Sequence, residues 1–339
     1  MVKKIFYVLT LVLFMPALFM FSGCKVNNES PSDFLYEISA DGKYIYFGEY
    51  PQTIKADDVV VSEFPDAQGY YEGSDGARYV KIQANYWFDG IVDVEELKLN
   101  YASDNTVMGY CEFYYFKVEK LKWRILEEKN GKAFLVCDNI LTATMYNGAA
   151  NAWDDETGDP MSYDNNGDLY YLNNYKESSL RGSLAGIYNV AFTEEEKQII
   201  SLTEVDNSVN TLPAGAERYA CENTNDYLFA LSYADICNSN YGFSGALAQD
   251  IVKSWATTDY AKANGAITHT KEYFTIYCNM AESSAEYKAL EAFIGSGEAM
   301  LRSPSVYGGQ IKICNNGEIT NYDTDYSHAG VVPAMYITL

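Results

Sequence analysis

The stretch FKVEKLKWRILEEKNGKAFLVC, residues 116–137, decides the fold. Aromatic and β-branched residues recur in both of its halves, as is typical of β-strands. Asn130-Gly131 lies between the halves, and this dipeptide between two β-prone runs favours a hairpin turn. One buried face is predicted on the first half, formed by Phe116, Val118, Leu121, Trp123 and Ile125. The sequence therefore predicts an antiparallel hairpin here.

Other strand-like segments occur on both sides of this hairpin. They lie at residues 43–53, 77–87, 226–232, 271–280, 310–322 and 330–339. A second Asn-Gly turn, Asn316-Gly317, predicts a hairpin inside one of them. Helical patterns are short and lie at residues 176–192, 193–200 and 286–295. Thr193 and Glu196 have the spacing of a capping box. This order predicts an α+β fold with largely antiparallel sheets and short helices.

Composition excludes several classes of partner. The chain has 339 residues and a net charge of −23, which argues against binding nucleic acid or an anionic lipid surface through a basic patch. Apolar residues make up 48%, enough for a substantial core. Tyrosine occurs 31 times. Its ring is apolar and its hydroxyl polar, so it suits half-exposed strands and contact surfaces.

The amino terminus indicates export. Lys3 and Lys4 precede the uncharged segment 5–21, and FSGC follows, as in a secretory signal peptide. Cys24 after Ser22-Gly23 resembles the lipidated cysteine of a bacterial lipobox. The alternative, an uncleaved membrane helix, has about 17 apolar residues, near the short limit for spanning. We therefore predict a signal peptide at 1–23 and a lipid anchor on Cys24 in the bacterial envelope, at the outer membrane or cell surface.

The remaining chain is predicted to hold one domain. Residues 24–40 are polar and contain Pro and Ser, which favours a flexible tether. Residues 41–339 have neither a repeat nor a long linker, and we assign them to a single elaborated domain. Six cysteines remain after Cys24, and their pattern leaves both disulfides and buried free thiols open.

Ten fragments in order give the chain a family resemblance. They include YIYFGEYPQT, VEKLKWRILEE, AFTEEEKQII, LRSPS and GVVPAMYITL. Together they resemble domain-of-unknown-function family 6273, found in exported bacterial proteins, and the resemblance implies no catalytic residues. The C-terminal part also looks like the core of C-type-lectin-like folds, which formylglycine-generating enzymes share. That pattern departs here at Ala299-Met300 and at Val332, where an aromatic pair and an arginine are usual.

Several residues are candidates for binding. Arg302 precedes Ser-Pro in an acidic chain, and we expect it in a core strand, paired with a carboxylate or with loop carbonyls. His328 lies near Asp325 and is the better of two histidines for chemistry, whereas His269 is expected at the surface. The rings of Trp153 and Tyr307 are candidate stacking surfaces for a glycan.

An acidic loop offers a candidate metal site. Asp159, Asp164 and Asp168 could bind Ca²⁺ through oxygen ligands, although the loop fits an EF-hand poorly. A solvated acidic loop is the alternative. Beyond this Ca²⁺ site, no cofactor is predicted.

These features predict a surface lipoprotein with a non-catalytic, lectin-like binding domain for a glycan or protein. An enzyme on the same scaffold is the first alternative, either a hydrolase or a thiol-dependent oxidase using Cys278 and Cys314. A structural envelope lipoprotein without a small-molecule site is the second.

Overall fold

The computed structural model describes residues 35–85, 93–245 and 248–339. The predicted signal peptide, Cys24 and the start of the predicted tether lie outside these ranges. Within them, no helix is long and apolar enough to cross a membrane.

Short strands make up most of the regular structure. They are β1 Glu37–Ile38, β2 Tyr44–Ile54, β3 Tyr71–Glu72, β4 Arg78–Gln83, β5 Phe113–Lys129, β6 Lys132–Cys137, β7 Asn139–Ile140, β8 Thr142–Ala143, β9 Ala152–Trp153, β10 Pro160–Tyr163, β11 Leu169–Tyr171, β12 Thr203–Val205, β13 Thr224–Asp226, β14 Trp255–Thr257, β15 Ser296–Gly297, β16 Ala299–Pro304, β17 Gln310–Asn315, β18 Glu318–Asp323, β19 Gly330–Val331 and β20 Ala334–Thr338.

The helices are few and short. The α-helices are α1 Ser179–Ala191, α2 Glu194–Lys197, α3 Tyr233–Ile236, α4 Asp259–Ala263 and α5 Ala285–Leu290. Short 3₁₀ turns occur at Val209–Thr211, Glu217–Tyr219, Ser239–Tyr241, Ile251–Lys253 and Glu291–Phe293, and a π-helical turn at Tyr273–Tyr277. The predicted α+β class with largely antiparallel sheets is confirmed.

The predicted hairpin forms the centre of the main sheet. β5 and β6 pair antiparallel, and Asn130 and Gly131 between them have φ of 54° and 72°. Two successive positive φ values define the turn type that matches strand twist, so the Asn-Gly prediction is confirmed. β5 also pairs with β2 and β4, and β6 pairs with the last strand, β20. The sheet therefore joins the two ends of the described chain.

The core lies beneath this sheet. Trp123 on β5 is fully buried, and its indole Nε1 donates a 2.8 Å hydrogen bond to the Phe47 carbonyl on β2. Helix α1 packs Leu180, Leu184 and Ile187 into the same core, as its helical spacing predicts. Both groups of the predicted capping box are present at α2.

A second sheet forms the other side of the core. Its order is β18-β17-β16-β19-β8, and the second Asn-Gly turn, at Asn316-Gly317, joins β17 to β18 as predicted. All six residues of β16 are buried. A strand in such a position has apolar neighbours on both faces, which makes its arginine unusual.

Three predicted segments differ in the structure. The segment 271–280 is wrong as a strand: it holds the π-helical turn, in which Phe274 is buried and Tyr273 packs against a core cluster. A short apolar run cannot distinguish these alternatives by periodicity. Residues 226–232 form a strand only up to Asp226 and then cross the core. The predicted tether is too long, because Glu37–Ile38 pairs with β2.

The bend in β2 generates a stability prediction. Gly48 has φ +69°, and a Cβ there would lie 2.5 Å from the Phe192 ring, whereas Gly42 has the same φ with nothing within 4 Å. Gly42→Ala should lower the free energy of unfolding by about 1–2 kcal/mol through backbone strain alone. Gly48→Ala should cost about 1–3 kcal/mol more through overpacking. Urea denaturation measures both, and equal losses would contradict the role of Phe192.

Candidate functional site

Arg302 is held by the protein itself. It is 6% exposed on β16, and its Nη1 donates to the Ala230 carbonyl at 2.7 Å and to Asp235 Oδ2 at 2.9 Å. Its Nη2 donates to the Asp206 carbonyl at 3.3 Å. The predicted pairing with a carboxylate and loop carbonyls is confirmed. The guanidinium therefore joins β16 to two loop carbonyls and to helix α3.

Asp235 is fixed in turn by the start of α3. Its Oδ2 accepts hydrogen bonds from the Ser232 backbone N–H at 2.7 Å and from the Ser232 hydroxyl at 2.8 Å, within a capping box. The same oxygen thus caps a helix and receives Arg302. Such a shared acceptor makes the arginine a structural tie between strand and helix.

A small internal cavity lies beside Arg302. Tyr175, Asn207 and Cys221 line it with Arg302, and its volume is about 10 Å³. Arg302 Nε, Asn207 Oδ1 and the Tyr175 hydroxyl have no hydrogen-bond partner among the described residues. A cavity of this size has room for about one water, and three polar atoms would hold it well. It is too small for a sugar.

Removing the Arg302 guanidinium should destabilise the protein strongly. Arg302→Ala leaves the Asp235 carboxylate and two carbonyls without their donor, and we expect the free energy of unfolding to fall by about 3–5 kcal/mol. Arg78→Ala is the matched control, because its pair with Glu49 is exposed and should be worth about 0–1 kcal/mol. Chemical denaturation compares the two. If Arg302→Ala had unchanged stability, Arg302 would not be a structural tie, and a role in ligand binding would be favoured instead.

The two histidines lie in different environments, and one of them differs from its expected position. His328 Nδ1 donates to the Gly265 carbonyl at 2.8 Å, and its ring contacts that of Tyr326, so backbone holds this nitrogen rather than the exposed Asp325. The prediction that His269 lies at the surface is wrong, since this residue is 0% exposed. The cause is pairing: its backbone N–H donates to Ser296 on β15, which draws the segment into the core.

The acidic loop distributes its carboxylates. Asp164 and Asp168 line one surface cleft of about 520 Å³ with Lys176 and Glu222. Asp159 lies apart from them, accepting from the Tyr219 and Thr157 hydroxyls. Among the described residues, no three His, Cys, Asp or Glu side chains group as a metal site. The three predicted calcium ligands therefore do not form one oxygen cluster.

Asp154 in this loop offers a measurable titration. The Tyr171 hydroxyl donates to its Oδ2 at 2.6 Å, and this bond, followed by backbone N–H groups, lowers the pKa of Asp154 to about 2. Because the folded pKa is lowered, the stabilisation is present above the unfolded pKa of about 3.9 and is lost as pH falls through the folded one.

Tyr171→Phe should raise the pKa of Asp154 and move this loss of stability to higher pH. The pKa of Asp154 is measured from the NMR chemical shift of its carboxyl carbon over pH 1–6. Steps of ~0.5 pH unit are fine enough, because pKa shifts in folded proteins are typically about one unit. Tyr163→Phe, on the exposed β10, is the matched control and should leave the pKa of Asp154 unchanged. The same pKa of Asp154 in both variants would show that the phenol bond is not its cause.

The predicted stacking residues are brought to one region. Trp153 and Tyr307 are 64% and 61% exposed. Trp153 pairs with Pro160 across β9 and β10, and Gly309, two residues after Tyr307, packs closely against the same proline. The backbone at both residues therefore lies in the neighbourhood of Pro160, and both rings are exposed.

A larger cleft lies at the edge of the main sheet, and the sequence alone did not indicate it. We call it the Tyr44–Tyr241 cleft. Its volume is about 620 Å³, within the range of ligand pockets. It is lined by Gly42, Lys43, Tyr44, Arg124, Ile125, Glu128, Tyr241, Gly242, Ile251 and Val252. These residues come from β2 and the turn before it, from β5, and from two later segments at residues 241–242 and 251–252.

The rings of this cleft are fixed by their neighbours. Lys122 Nζ lies 3.8 Å from the centre of the Tyr44 ring, and Tyr241 meets Phe134 edge to face at 5.3 Å. Burial raises the pKa of Tyr241, so its hydroxyl stays protonated and can both donate and accept. Preorganised rings lose little conformational freedom when a ligand binds.

Arg124 completes the wall of the cleft. Its Nη1 donates to the Val252 carbonyl at 2.7 Å and its Nη2 to Asp138 at 3.0 Å. The arginine thereby fixes the loop that carries Ile251, whose side chain is exposed. The cleft combines two rings, apolar side chains and a few charged groups, which is the usual composition of a small-molecule site.

A smaller polar cleft is occupied by its own hydrogen bonds. It measures about 200 Å³ and contains Asp259, whose carboxylate accepts from the Ser103 N–H and hydroxyl and from the Ile54 N–H. Its acidic group is thus committed to linking β2 with α4.

The cysteines do not favour thiol chemistry. All six in the described residues are free thiols. Burial raises the pKa of Cys314 to about 12 and also raises the pKa of Cys278. Protonated thiols are poor nucleophiles and poor metal ligands.

Comparison with known proteins identifies the family. The family model of a domain of unknown function, DUF6273, matches residues 130–339, and the chain belongs to this family. The match starts at the β5–β6 turn, so the Tyr44–Tyr241 cleft lies partly outside it. No curated protein and no solved structure matches the chain.

Proposed function

We propose that this DUF6273 protein is a lipid-anchored protein of the bacterial envelope that binds a glycan, without catalysis, in the Tyr44–Tyr241 cleft. The cleft itself is the observation that carries the proposal. Two fixed tyrosine rings in a cavity of about 620 Å³ offer apolar faces to a pyranose ring. Arg124, Lys43 and Glu128 offer hydrogen bonds to its hydroxyl groups.

A C-type-lectin-like scaffold is part of this proposal. Supporting it are the buried arginine on β16, the Gly308-Gly309 turn into β17 and a final strand that returns to the main sheet. The altered positions at Ala299, Met300 and Val332 are all buried, so these side chains take part in the core and not in a surface site.

The proposed anchor supports a role at the envelope surface. Twelve residues lie between Cys24 and the first residue of β1, Glu37, and the thirteen steps from one to the other span at most about 45 Å. Tyr44 begins the next strand, so the cleft lies near the anchored end of the domain. A ligand in the cleft would be held close to the membrane.

The cleft tyrosines should decide binding. We expect residues 25–339 to bind members of a bacterial glycan array, and Tyr44→Ala or Tyr241→Ala to weaken that binding roughly 10-fold or more, since a lost aromatic contact is worth about 1.5 kcal/mol. Trp153→Ala is the matched control, because its ring is exposed on another surface, and should bind as the wild type does.

The controls also separate the alternatives. Loss of binding in Trp153→Ala, with both cleft variants unaffected, would move the site to the Pro160 region. An array without any binding, together with capture of a purified envelope protein lost in Tyr241→Ala, would replace the glycan with a protein ligand.

A further inference from the structure

Three side chains with metal-binding chemistry converge on one buried carboxylate, Glu298, outside the cleft. Glu298 is 1% exposed and His269 is 0% exposed. The Tyr322 hydroxyl donates to Glu298 Oε1 at 2.7 Å, and Tyr326 lies beside the same carboxylate. The Tyr322 and Tyr326 rings lie 4.7 Å apart. Each of these residues comes from a different turn or strand.

The tautomer of His269 follows from its neighbours. The Ser296 hydroxyl donates to the Phe293 carbonyl at 2.6 Å, so its oxygen faces His269 Nδ1 as an acceptor at 3.5 Å. Nδ1 therefore carries the ring hydrogen. In the neutral imidazole, the other nitrogen, Nε2, then presents a lone pair. This arrangement is typical of histidines whose outer partner orients them towards a metal.

Two acceptors consequently face each other in the interior. His269 Nε2 lies 3.9 Å from Glu298 Oε1. Nε2 and Glu298 Oε2 have no hydrogen-bond partner among the described residues, and no Lys or Arg of that part of the chain pairs with Glu298. A buried carboxylate with one unpartnered oxygen, opposite a lone pair, is costly, and a positive charge between them would offset that cost. Metal–ligand bonds of about 2.0–2.2 Å on each side would span this gap.

The charge of the donors indicates which cation. Without a cation, phenols are protonated at neutral pH. Metal binding requires deprotonated ligands and releases their protons. The carboxylate and two phenolates would carry three negative charges, which a trivalent cation neutralises. Oxygen donors of this kind suit hard cations, and phenolate is a known ligand of iron.

We propose that His269 Nε2, Glu298, Tyr322 and Tyr326 bind a ferric ion, with release of two phenol protons to solvent. Asn315 Nδ2 donates to Glu298 Oε1 at 3.0 Å and holds the carboxylate in place. The tyrosines are half-buried, so the ion enters from their side. This site does not depend on the glycan cleft, and either can fail without the other.

The full chain titrated with ferric nitrilotriacetate tests the site. We expect one equivalent to bind and a phenolate-to-iron charge-transfer band to appear in visible light. Tyr322→Phe and Tyr326→Phe should each weaken the band and together remove it. His269→Gln and Glu298→Gln should weaken binding roughly 10–100-fold or more. Tyr307→Phe, an exposed phenol elsewhere, is the matched control and should change nothing.

Phenylalanine keeps the ring packing, so the tyrosine variants remain informative if the His269 or Glu298 variants do not fold. Absence of the band, or a band that persists in the double tyrosine variant, would overturn the proposal. The proposal is also overturned if iron does not bind and the wild type gains stability as pH falls through the usual pKa range of histidine, whereas His269→Gln does not. A proton on His269 would then be the cation that faces Glu298.

Discussion

Strand β5 must find partners for the backbone groups of 17 residues, and the rest of the structure is arranged around that requirement. It pairs with β2 on one side and with β4 and β6 on the other. One face of β5 buries Trp123 in the core, while Arg124, Ile125 and Glu128 reach the Tyr44–Tyr241 cleft. The strand that organises folding thus also supplies one wall of the candidate site.

Arg302 satisfies buried polar groups in the same core. Loops that cross the core leave carbonyl groups away from water, and those groups need donors. The guanidinium satisfies two of them and a helix-capping carboxylate at once. Its planar fork with five N–H donors is suited to such convergent acceptors, which a lysine could not serve equally. The same geometry holds the four-residue helix α3 in place.

The sequence predicted those elements whose signal is local. Asn130 and Asn316 adopt positive φ before glycine, and the capping box at Thr193 needs only four residues. The predictions that were wrong or missing concern contacts between residues that are far apart in the sequence. His269 is buried because of a strand 27 residues further on, and the cleft gathers side chains from β2, β5 and two later loops. No periodicity records such pairings, since they depend on how the sheets pack.

Two groups of buried polar atoms without hydrogen-bond partners favour different occupants, a water in one case and a cation in the other. At Arg302 the group comprises a donor, Nε, an acceptor, Asn207 Oδ1, and a hydroxyl, beside a cavity of about 10 Å³. One water can serve all three, because it donates and accepts. At Glu298 the facing atoms are a lone pair and a carboxylate, both acceptors. A water would satisfy them only by donating twice and would leave the carboxylate charge uncompensated, whereas a cation satisfies both and neutralises it.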